Sequence, residues 1–66
     1  MPRTLEELAK MISKRDSISY SEALAAIRDV AAEMEFAFMN GDLNGAEDIL
    51  RMDLGLEPDY LDLFIF

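Results

Sequence analysis

SYSEALAAIRDVAAEMEFAFMN, residues 19–40, carries apolar side chains at Tyr20, Leu24, Ile27, Ala31, Met34 and Phe38. That alternating four-and-three spacing gathers them on one side of an α-helix, and Ala23, Val30 and Ala37 widen the side. The stretch therefore predicts one long amphipathic helix of roughly six turns, with the shorter segments on either side packed against it. On the opposite side Glu22, Asp29 and Glu33 align, with Phe36 beside them. The apolar side gives the chain a reason to fold. The acidic side gives the first hint of what it does.

Residues 1–15 predict a short first helix. Thr4 with Glu7 forms a capping box, in which the hydroxyl takes an orphan N–H and the carboxylate reaches back. Leu5, Leu8, Ala9 and Ile12 make its apolar side, while Lys10, Lys14 and Arg15 lie toward the C-terminus and suit the helix dipole. Asp16-Ser17 interrupts the pattern. Ser19 with Glu22 repeats the capping box, and Ile18 is placed as a hydrophobic staple. Asn40-Gly41 closes the long helix with a residue able to turn left-handed.

Asn44 with Glu47 then caps a third helix, GAEDILRMDL, whose inward side is Ala46, Ile49, Leu50 and Leu54 and which Gly55 ends. Pro58 sits at the first position of a last helical turn. The tail Leu61, Leu63, Phe64, Ile65, Phe66 is expected to cover the core, with a dimer contact as the alternative. No apolar–polar alternation is long enough for a strand. The expected fold is all-α: a compact three-helix bundle with a long central helix and a short C-terminal helical turn, residues 1–66 forming a single small helical domain.

With 66 residues the chain buries only about 60% of the surface its unfolded form exposes. Small folds usually add a disulfide, a metal or a second subunit, and this one contains neither cysteine nor histidine. Disulfides and thiolate metal sites are excluded, as are the commonest transition-metal ligand and the usual general base. What remains is good helix packing, as a monomer or a homodimer. The terminal LDLFIF is far shorter than the about 20 apolar residues of a membrane span, and the basic N-terminal residues are not followed by a signal-peptide core. The expectation is a cytoplasmic protein with no membrane association.

Several motifs invite a chemical reading. Asn40-x-Asp42-x-Asn44-Gly45 reproduces the first half of an EF-hand loop, and Asp48 fits its ninth position. Its eighth position is Glu47 and its twelfth is Arg51, a cation where calcium requires a bidentate carboxylate. The segment reads instead as a helix–helix connection rich in turn formers. Glu6-Glu7, Glu47-Asp48 and Asp59 with Asp62 are paired carboxylates, but a helical domain of this size rarely holds the substrate cleft that glycosidic chemistry needs. Ser13, Ser17, Ser19 and Ser21 have no histidine to activate them. No enzyme, metal or cofactor is expected.

Charge is the more informative signal. The net charge is −8, and it is unevenly spread. Residues 1–15 set four cations against two carboxylates, a balance of +2, and residues 16–66 set twelve carboxylates against Arg28 and Arg51, a balance of −10. Such a body is repelled by nucleic acid and anionic membranes and is steered toward basic surfaces. Asp29 and Glu33, one turn apart, repel each other at a cost of a few tenths of a kcal/mol. Glu35, Glu47, Asp48, Asp53, Glu57, Asp59 and Asp62 extend the acidic surface. A solvated face that confers solubility is one account of it. The other is that carboxylates one helical turn apart stand in for phosphates and occupy a groove whose lysines and arginines normally hold DNA. Phe36, out of place on the polar side, is either a lone aromatic, a residue covered by the tail, or an interface anchor.

In size, in charge and in the acid-rich stretch from Asp42 through Asp62, with its phrases GDLNGAEDIL and LGLEPDYL, the chain resembles small acidic phage and mobile-element proteins of the DNA-mimic type, the anti-CRISPR and anti-restriction inhibitors. The resemblance is one of character, and no site residue transfers by motif. It implies a non-catalytic inhibitor acting in a bacterial host cell. Its partner would be a basic DNA-binding protein or a CRISPR effector complex, with no direct contact to nucleic acid. The basic first helix departs from a uniform phosphate mimic. The residues expected to bind the partner are Glu22, Asp29, Glu33, Phe36, Glu47, Asp48, Asp53 and Asp59. The alternative is a helical interaction or regulatory module that binds through apolar surface.

Overall fold

A computed structural model describes residues 2–65. Helix α1 spans Leu5–Asp16, α2 spans Tyr20–Met39 and α3 spans Leu43–Ile49. Helix α3 runs without a break into a π-helical turn, Leu50–Leu54, and a 3-10 segment, Pro58–Phe64, closes the chain. The architecture is all-α, and its long central helix is the element on which the others pack. The body measures 33 × 20 × 20 Å. Its long dimension is close to the about 30 Å that the 20 residues of α2 span at 1.5 Å each.

The core combines Leu8, Ala9 and Ile12 of α1 with Ala23, Ile27, Val30, Met34 and Ala37 of α2. Ala46, Leu50, Leu54, Leu56 and Phe64 close it from the other side. The buried seam of α2 is therefore not centred where the sequence pattern centred it. Tyr20 is exposed, and Leu24, Ala31 and Phe38 are only half-buried. The seam is turned by about 60° toward the positions expected merely to widen the face. The cause is packing: Ala23 and Ala37 are small enough to let neighbouring backbones approach, and α3 with its π turn lies along the flank that carries Glu33. The acidic row consequently lies about 100° from the seam rather than opposite it. The outward line belongs to Ser21, Ala25, Ala32 and Met39, all exposed.

The helix ends follow local chemistry. Thr4 Oγ1 accepts from the Glu7 amide at 3.1 Å, while the Glu7 carboxylate accepts from the Arg3 amide at 2.9 Å, one residue outside the expected box. Ser19 Oγ accepts from the Glu22 amide at 3.1 Å and donates to the Glu22 carboxylate at 3.3 Å. Helix α3 starts earlier than expected. Its cap is Asp42, whose Oδ1 accepts from the Gly45 amide at 2.9 Å, and Asn44 lies inside the helix. Asp42 is thus spent on capping, and the chain is helical from the fourth position of the EF-hand-like register, which leaves no ion-binding loop. The tail covers the core through Phe64, which is 1% exposed, while Ile65 is 55% exposed. Phe66 lies outside the described residues.

Helix α1 is tied to the far end of the chain. The Arg15 guanidinium grips Asp16 through Nε at 2.8 Å and Nη2 at 3.0 Å, and Nη2 also donates to the Leu54 carbonyl at 2.7 Å. That carbonyl ends the π turn and has no partner in the next turn, because Gly55 turns the chain away at φ +64°. Ser17 ends α1 in the same left-handed conformation, φ 56°, which a residue with a Cβ adopts at a cost.

Two substitutions test these ends. Ser17→Gly should raise stability by about 0.5–1 kcal/mol in denaturant unfolding, since glycine takes the left-handed site freely. Gly45→Ala should lower it by about 1 kcal/mol despite alanine's higher helix propensity, because the new Cβ would overlap the Asp42 carboxylate and displace the cap.

Candidate functional site

Like-charge crowding sets the chemistry of the flank between α2 and the π turn. Glu33 projects from the last third of α2 and Asp53 from the π turn, and their carboxyl groups lie within hydrogen-bonding reach. Asp29, one turn earlier on α2, adds to the same negative field. The hydrogen bond with Asp53 is the main reason the Glu33 carboxyl holds its proton above its ordinary value, with partial desolvation and the charges of Asp53 and Asp29 contributing in the same direction. Among the described residues the ion pairs are Arg15–Asp16 and Arg51–Asp48, so no cation neutralises this trio. Nor do any three acidic side chains among the described residues converge on a point suited to a metal ion.

An open cleft of about 420 Å³ begins at Glu33 and lies between the end of α2 and α3, with Asp29 and Asp53 outside its lining. Phe36 and Glu33 form one rim, Asp42 the other, and Ala37 and Ile49 the floor. Phe36 is 69% exposed, and the tail does not cover it. At about 100° per residue Phe36 lies about 140° from the centre of the buried seam, on the solvent side of α2. A second apolar cleft of about 410 Å³ lies on the other flank, between Glu35, Phe38, Leu43, Phe64 and Ile65.

The structure thus brings Asp29, Glu33, Phe36 and Asp53 together. It does not bring the remaining expected residues into that group. Glu22 caps the start of α2, about 16 Å along the helix from Glu33 by the rise per residue. Asp48 accepts from Arg51 at 2.9 Å, which neutralises it within its own helix. Glu47 is half-buried, and Asp59 stands in the first turn of the 3-10 segment. Asp42 and Ile49 border the cleft although the sequence reading assigned them to the connection and the core. The only signal for them was the turn chemistry of Asn40–Gly45, which foretold a helix start but not the groove beside it.

Among the described residues no helix is long and apolar enough to cross a membrane. Comparison with protein-family models, with curated proteins and with solved structures finds no match.

The raised proton affinity of Glu33 has a definite sign. The stability it contributes is complete below its ordinary value of 4.5 and is lost as pH rises through the raised one. Glu33→Gln should therefore raise the melting temperature at pH 7, modestly because the site is exposed, and the gain should vanish in acid below about pH 4. Thermal unfolding followed by circular dichroism across that range measures it.

Proposed function

We propose that the chain is a non-catalytic inhibitor that binds a basic DNA-handling protein and blocks its access to DNA by acidic mimicry, most concretely as an anti-CRISPR protein acting in the cytoplasm of a bacterial host. The observation that carries this reading is the uncompensated trio Asp29, Glu33 and Asp53, set on an exposed flank in a body of net charge −8. Neutralising residues beside these carboxylates would stabilise the free protein, and none is present among the ion pairs of the described residues. A surface that repels itself when alone gains most from a cationic partner. Such a contact between exposed charges is screened by salt, so it weakens as ionic strength rises.

A second reading, an interaction module that binds through apolar surface as a monomer or homodimer, is favoured by the exposure of Met39, Leu43 and Ile65. Phe64 cannot serve it, since the core holds that ring.

Immobilised chain incubated with bacterial lysate at about 50 mM salt should retain a DNA-binding protein that duplex DNA displaces and that about 200 mM salt releases. A retained partner indifferent to both would favour the apolar module. The double reversal Asp29→Lys with Glu33→Lys should abolish retention and leave the helical circular dichroism spectrum intact. Retention that survives the reversal would sink the mimicry.

A further inference from the structure

We propose that the cleft between α2 and α3 is a seat for one arginine side chain of the basic partner, its stem lying along Phe36 and Ile49 and its guanidinium meeting Glu33 and Asp42. This rests on the reading of the acidic flank as a surface for a basic protein, and it names the contact at the centre of that surface.

The argument is one of shape and charge together. The cleft of about 420 Å³ falls within the about 300–1,000 Å³ typical of sites that enclose a small group. Its floor is aliphatic, through Ala37 and Ile49, and its rim carries an aromatic ring and a carboxylate three residues apart on one helix face. An arginine has a matching order of parts: an aliphatic stem, then a planar cation that stacks on an aromatic face and offers a fork of donors to two acceptors at once. Glu33 of α2 and Asp42 at the start of α3 both line the cleft and supply those acceptors from different elements, Asp42 through the oxygen that the Gly45 amide does not use. Lysine, a point charge without a planar face, would satisfy the carboxylates or the ring less fully. The cleft on the other flank differs in kind. It has aromatic and aliphatic walls but a single carboxylate, Glu35, and nothing in the structure indicates what covers it.

The seat also accounts for Phe36. An exposed ring beside repelling carboxylates adds nothing to the core, yet its face can hold a cation against them. Desolvation of the guanidinium by the ring and the floor strengthens its attraction to both acids beyond that of a solvent-exposed pair.

The test uses the full chain, labelled with ¹⁵N, titrated with a short blocked alanine–arginine peptide and with its citrulline counterpart, which keeps the shape and lacks the charge. The arginine peptide should shift the amides of Glu33, Phe36, Ala37, Asp42 and Ile49 at low salt, and the citrulline peptide should not. Phe36→Ala, at an exposed position, should weaken arginine-peptide binding roughly three- to thirtyfold. Phe36→Leu, which keeps the apolar contact, should recover only part of that loss. Equal shifts with citrulline, or undiminished binding by Phe36→Ala, would overturn the seat. DNA displacement of the lysate partner, measured on the same variants, separates the two ideas. Displacement that persists while the seat fails leaves mimicry standing. Cleft shifts specific to arginine, without DNA competition, support the seat and remove mimicry.

Discussion

Everything in this protein leans on one seam: Ala23, Ile27, Val30, Met34 and Ala37 along a single helix. Helix α1 closes on it from one side, and α3, the π turn and the 3-10 segment close on it from the other. With no disulfide to hold a short chain together, the seam has to satisfy both sides at once. Its composition shows how. Ile27 and Met34 supply volume at the middle, where both layers meet, and the alanines at either end keep the flanking backbones close. Among the described residues no polar or charged side chain is buried, so the interior carries no desolvation debt.

The price of that economy appears at the surface. Arg15 does structural service, holding Asp16 below its usual proton affinity through their hydrogen bond and closing the Leu54 carbonyl. Arg51 is engaged with Asp48. Arg15 and Arg51 are thus already committed, Arg28 pairs with no carboxylate among the described residues, and the Glu33–Asp53 contact stays uncompensated. This also explains why a basic first helix is compatible with an acidic binding flank. Lys10 and Lys14 stand exposed on α1, an element packed on the seam rather than on the cleft.

The parts of the fold legible in the sequence are those fixed within a few residues. Thr4, Ser19, Gly41, Gly55 and Pro58 mark helix boundaries where the structure has them, because each acts on backbone groups three or four positions away. The phase of α2 was not legible, since its apolar residues cover a sector wide enough to admit two centres. Only the positions of α1 and α3 choose between Tyr20–Leu24–Phe38 and Ala23–Val30–Ala37. The start of α3 was misplaced for a related reason: Asp42 and Asn44 are both competent caps, and the tighter connection to Met39 favours the earlier one. Of the candidate site, the acidic row and the odd placement of Phe36 were readable. Asp53 as the partner of Glu33, and the groove lined by Ile49, depend on tertiary packing.

The π turn at Leu50–Leu54 sets the register of that packing. Its i→i−5 bonding accommodates one residue more per turn than an α-helix would, rotating all that follows by about 100°. Removing a residue from this turn would restore the α period, carry Asp53 away from Glu33 and swing Leu54 out of the core. The spacing of the acidic surface is therefore locked to the length of the chain here. Insertions and deletions that a loop would absorb are forbidden in this turn, while side chains such as the exposed Met52 are free to drift.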